Sequence, residues 1–95
     1  MARQLVEKYI FTPGVAGAGT IKFPGKCDDT QLLIIANKTS QENIYAIGDP
    51  TRTGTLAYNP DDTTSFYSEQ VGTTTVTFGK DTSSMLSTDK IAIYT

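Results

Sequence analysis

The chain has 95 residues, no histidine, no tryptophan and a single cysteine, Cys27. Without histidine there is no Ser-His-Asp or Cys-His catalysis, no imidazole metal site and no ordinary general base near neutral pH. One cysteine allows no intramolecular disulfide, and a thiol between Lys26 and Asp28 reads as a free thiol in a reducing compartment. Basic and acidic residues number 8 and 10, for a net charge of -2, and no Lys/Arg cluster occurs. Nucleic acid is therefore not an expected partner, because phosphate binding needs concentrated positive charge. The longest apolar run, Leu32 to Ala36, falls far short of the about 20 residues that span a bilayer, so no membrane is expected either. The stretch from Met1 to Lys8 lacks the apolar core of a signal peptide, which points to synthesis in a cytoplasm.

The remaining candidates for chemistry are carboxylates. Asp28-Asp29, Asp61-Asp62, Asp81 and Asp89 all sit where turn formation explains them, and adjacent side chains in an extended segment point apart. That arrangement disfavours a glycosidase-type pair. A calcium site built on Asp61 and Asp62 lacks the fixed ligand spacing of a calcium loop. The glycines Gly14, Gly17 and Gly19 are followed neither by a helical pattern nor by a Gly-Lys-Ser/Thr string, so they form no phosphate cradle. No catalytic residue, cofactor or metal is expected, and the chain reads as a non-enzyme.

What is present favours strands. Thr is the commonest residue, and 8 Gly and 4 Pro punctuate the chain, a composition suited to sheets and turns. Leu32-Leu33-Ile34-Ile35-Ala36, closed by Asn37, reads as a central strand buried on both faces. Alternation or turn punctuation predicts further strands over Leu5 to Phe11, Thr20 to Phe23, Glu42 to Ile47, Ser65 to Val71, Thr73 to Phe78 and Lys90 to Thr95, and Thr51 to Tyr58 reads as an edge strand or an extended loop. In Thr73 to Phe78 the residues Thr74, Val76 and Phe78 share one face, and Thr73, Thr75 and Thr77 share the outward one. The polar stretch Asp81 to Asp89 reads as a loop or one helical turn, with Met85 and Leu86 plugging the core.

The expected fold is all-β. It is an antiparallel β-sandwich or small barrel of seven to eight short strands forming one domain over residues 1–95, with at most one short helical turn. The expected core is Leu32, Leu33, Ile34, Ile35, Ile44, Val76, Phe78, Ile91 and Ile93, with Ile34 the residue whose replacement by Asp should prevent folding. The Gly-rich segment 13–19 reads as a flexible arm, and Gly14, Val15, Gly17 and Gly19 are the candidate subunit contacts. Tyr45, Tyr58 and Tyr67 would form a sugar-stacking platform only if they lay in a row on one sheet. Asn37-Lys38-Thr39 matches a glycosylation sequon.

Four strings carry a resemblance. They are Ala2-Arg3-Gln4-Leu5-Val6-Glu7-Lys8 with Phe11-Thr12-Pro13-Gly14; Leu32-Leu33-Ile34-Ile35-Ala36-Asn37; Ile47-Gly48-Asp49-Pro50; and Asp81-Thr82-Ser83-Ser84-Met85-Leu86-Ser87-Thr88-Asp89-Lys90-Ile91. In these the chain resembles small β-sandwich virion structural proteins of tailed bacteriophages, cyanophages included. The resemblance implies a non-enzymatic, multi-copy subunit, a homo-oligomer localised to the virion and made in the host cytoplasm. Its implied partners are capsid or tail proteins. Capsid decoration is the leading expectation because so short a chain leaves little room for a second functional domain. A tail or baseplate adaptor is the alternative, and a carbohydrate-binding module is the alternative of another class.

Overall fold

The computed structural model describes residues 5–15, 17–62 and 72–95. Seven strands follow in order: β1 (Ile10–Thr12), β2 (Ala18–Pro24), β3 (Ile34–Asn37), β4 (Glu42–Ala46), β5 (Gly54–Asn59), β6 (Thr73–Asp81) and β7 (Ile91–Tyr94). No helix occurs among the described residues. All strand pairs are antiparallel, in two sheets ordered β1-β2-β6-β5 and β4-β3-β7. The protein is an all-β sandwich. The expected strand over Ser65 to Val71 lies outside the described residues.

Alternation explains why each sheet has one buried face. In the four-stranded sheet Ile21, Val76 and Leu56 are cross-strand partners in one row, and Ile21 and Val76 are fully buried. In the three-stranded sheet Ile35 lies between Tyr45 and Ile93, and all three are buried. Phe11, Phe23 and Phe78 complete one wall of the core, and Ile44 and Ile91 the other. Leu32, Cys27 and Met85 close it from the connecting segments. The rings of Phe11 and Phe78 meet edge to face, with centroids 6.2 Å apart and planes at 66°, an arrangement aromatic pairs favour.

Taken in chain order as A, B, C, C′, D, E and F, these strands pair as A-B-E-D against C′-C-F, the strand order of an immunoglobulin-like sandwich. In that fold a further strand lies beside F. Here that place holds Leu5, bridged to Tyr94, and Val6, whose N–H donates to the Ile93 carbonyl at 2.9 Å. The Tyr9 hydroxyl accepts from the Ile91 N–H at 3.0 Å. The segment read as a first strand from Leu5 is thus divided: only Ile10–Thr12 joins the four-stranded sheet, and Leu5 and Val6 lie along the other.

Several expectations need correction. The apolar run is the middle strand of its sheet, but Leu32 and Ile35 are fully buried whereas Leu33 and Ile34 are only half-buried. Ile34 pairs with Ala46 and Tyr94 on the face turned away from the second sheet, where no described strand covers it. One face of β3 is therefore in the core. Thr73, expected outward, is buried beside Thr74. In the 82–90 segment Met85 plugs the core, but Leu86 is 64% exposed.

Candidate functional site

Three connections lie against one another at one end of the sandwich. The first is the β1–β2 loop, residues 13–17. Its Gly14 N–H donates to Thr82 Oγ1 at 2.9 Å, and its Gly17 carbonyl accepts from the Thr82 N–H at 3.1 Å. A Cβ on Gly14 would overlap the Gly17 carbonyl, and one on Gly19 the Thr12 carbonyl. The glycines permit close backbone approach to buried Thr82, which ties the segment read as a flexible arm to the β6–β7 connection at Gly14 and Gly17. Ala16 lies outside the described residues.

The second connection is the β3–β4 turn. Asn37 ends β3 fully buried, and its Oδ1 accepts the N–H groups of Thr39 and Ser40 at 2.9 and 3.1 Å. Gln41 completes the turn in the left-handed region at φ 58. Asn37 Nδ2 donates to Asp89 Oδ2 at 2.8 Å. The sequon nitrogen is thus enclosed and hydrogen-bonded, and the folded protein offers no acceptor for a glycan there.

The third is the β6–β7 segment, joined to the turn twice more. Lys38 N–H donates to the Lys90 carbonyl at 2.7 Å, and Lys90 N–H donates to Thr39 Oγ1 at 2.9 Å. Asp89 Oδ2 also accepts the Leu86 N–H at 3.2 Å. Two apolar side chains project from this braced end, Val15 at 99% and Leu86 at 64% exposure. The β3–β4 turn and the β6–β7 segment also carry exposed Ser40, Ser83, Ser84, Ser87 and Thr88, together with exposed Lys38, Asp81 and Lys90. Of the four expected contact residues only Val15 is exposed, since Gly19 is buried and Gly14 and Gly17 are partly so.

The carboxylates are dispersed. Asp49 Oδ1 accepts the hydroxyl and the N–H of Thr51 at 2.7 and 2.8 Å, which holds its carboxyl below the usual range. Asp81 is lowered in the same way by the Ser83 N–H at 2.8 Å. Asp62 lies 3.8 Å from Lys22 Nζ, and the Asp28 N–H is bound by Gln31 Oε1 at 2.8 Å. No group of three or more metal-ligating side chains forms among the described residues. At the end of β4 and along the β4–β5 connection a shallow depression of about 420 Å³ is bordered by Asp29, Tyr45, Asp49 and Arg52. Burial pushes the Tyr45 hydroxyl above its ordinary pKa, with Asp29 and Cys27 adding to the effect.

The described tyrosines make no platform. Tyr45 is buried on β4, Tyr58 lies on β5 of the other sheet, and Tyr94 is on the outward face of β7. Tyr67 lies outside the described residues. Cys27 is buried, and burial followed by the nearby Asp28 charge pushes its thiol upward.

Comparison with protein-family models, curated proteins and solved structures finds no match.

Proposed function

We propose that this chain is a non-enzymatic, multi-copy structural subunit of a tailed-phage virion that decorates the capsid through protein contacts. The observation that carries the reading is Val15: a fully exposed aliphatic side chain on a loop whose backbone is pinned by Thr82. A pinned apolar tip loses little conformational freedom when it docks, so its burial is not offset by ordering the loop. The string resemblance supports the virion, and Leu86 on the adjoining segment supports an extended contact. Many copies on a symmetric shell would multiply a weak single contact.

The test is co-sedimentation of the purified chain with empty shells, and separately with tails, of the phage that encodes it. Binding to shells that is lost in Val15→Asp, with an unchanged melting temperature, supports decoration. Binding to tails alone replaces it with the adaptor reading, and binding to neither overturns both.

A further inference from the structure

Three of the four sheet edges are blunted. The β7 edge is covered by Leu5, Val6 and the Tyr9 hydroxyl. The β4 edge gives its Ala46 N–H to the Arg52 carbonyl at 3.1 Å and carries Glu42 in a 2.6 Å ion pair with Lys80. The β1 edge is three residues long and is followed by Pro13. Among the described residues the β5 edge, Gly54-Thr55-Leu56-Ala57-Tyr58-Asn59, has none of these devices: it has six residues, no charge and no proline. Edges left in this state are templates for another strand.

The ladder defines which β5 groups are free to pair. Gly79 N–H donates to the Thr53 carbonyl at 2.8 Å, so Thr53 and Gly79 form a hydrogen-bonded pair. The regular register from Gly54↔Phe78 to Asn59↔Thr73 then turns the backbone groups of Thr55, Ala57 and Asn59 toward β6. Those of Gly54, Leu56 and Tyr58 turn away, and among the described residues no hydrogen bond satisfies them.

We infer that β5 pairs with β5 of a second copy, antiparallel about a twofold axis through Leu56, to join two four-stranded sheets into one of eight strands. A twofold perpendicular to the sheet keeps faces matched, so residues of equal parity must oppose. Centring on Leu56 sets Leu56 against Leu56 of the second copy, Gly54 against its Tyr58 and Thr55 against its Ala57. The three outward-facing residues on each copy then supply the donors and acceptors of three hydrogen-bonded pairs. Centring on Ala57 would set Gly54 against Pro60 and lose bonds, because Pro has no N–H. The strand suits a copy of itself in one further way: being neutral, it places no charge opposite its own image. A single strand pair is a small contact, so the dimer is weak and depends on concentration.

The inference rests on the multi-copy reading for its place in a particle, but it is tested on the isolated full chain. A failed dimer test and a failed shell-binding test are therefore separate results. Sedimentation over a concentration series is expected to show a monomer–dimer equilibrium. Thr55→Lys with Ala57→Lys, both at exposed positions, sets lysines opposite one another and should raise the dissociation constant about tenfold or more, with melting unchanged. In a Cys27→Ser background, Leu56→Cys should oxidise to a symmetric disulfide dimer, and Thr55→Cys, offset from its image, should not. A monomer at every concentration, a dimer indifferent to the lysine pair, or a dimer that Leu56→Cys fails to cross-link would each overturn the inference.

Discussion

Asn37 Nδ2 donates to Asp89 Oδ2 at 2.8 Å across 52 positions of sequence, and both side chains are enclosed. This bond ties the end of the middle strand to the segment leading into β7. Asp89→Ala leaves a buried amide without its acceptor and frees the Leu86 N–H. It should cost about 1 to 3 kcal/mol, read as a lower urea midpoint with little change in slope.

The two isoleucines of β3 should separate sharply. Ile35 is fully buried and Ile34 half-buried on the outward face. An unpaired carboxylate at Ile35 costs several kcal/mol, on the scale of the whole roughly 5 to 15 kcal/mol of a domain. Ile35→Asp should abolish the cooperative melt, while Ile34→Asp should still fold with a lowered midpoint. Equal behaviour of the two would contradict the register of the sheet.

Glycine substitutions should follow the space around each site. Gly14→Ala drives its Cβ into the Gly17 carbonyl and should cost roughly 1 to 3 kcal/mol by overpacking. Gly48 sits in open space at φ +81, so Gly48→Ala meets only backbone strain, about 1 kcal/mol. Denaturation midpoints of the two variants measure the difference.

Alkaline stability should depend on Cys27. Burial keeps the folded thiol protonated above its ordinary value of 9.0. As pH rises past that point, the unfolded chain loses its proton first, so ionisation stabilises the unfolded state. Stability then falls until the pH passes the raised folded value. Cys27→Ser should flatten this limb in melting curves between pH 8 and 10, leaving the decline set by Tyr45, whose ordinary value is 10.0.

Much of the fold was legible because it is local. The period-two pattern placed Thr74, Val76 and Phe78 on one buried face, and turn residues marked the β3–β4 hairpin, while Leu56 and Tyr58 alone left β5 open between an edge strand and an extended loop. A continuous apolar run carries no parity, so Leu32 to Ala36 could not show that Ile35 faces inward and Ile34 outward. Gly14 and Thr82 are 68 positions apart, and no local pattern shows that a glycine-rich loop is anchored at such a distance. Asn37 read as a stop because its partner, Asp89, belongs to a stretch whose own composition says only loop. At the candidate site, Val15 was legible as an apolar residue in a turn. The bracing that makes it a fixed tip was not.

The bridge between Leu5 and Tyr94 places the two ends of the folded unit side by side. Whatever precedes Leu5 and follows Tyr94 enters and leaves through one edge of the sandwich. Such a unit can be spliced into a surface loop of another protein without prising that loop apart, and its own chain can be joined there and reopened elsewhere.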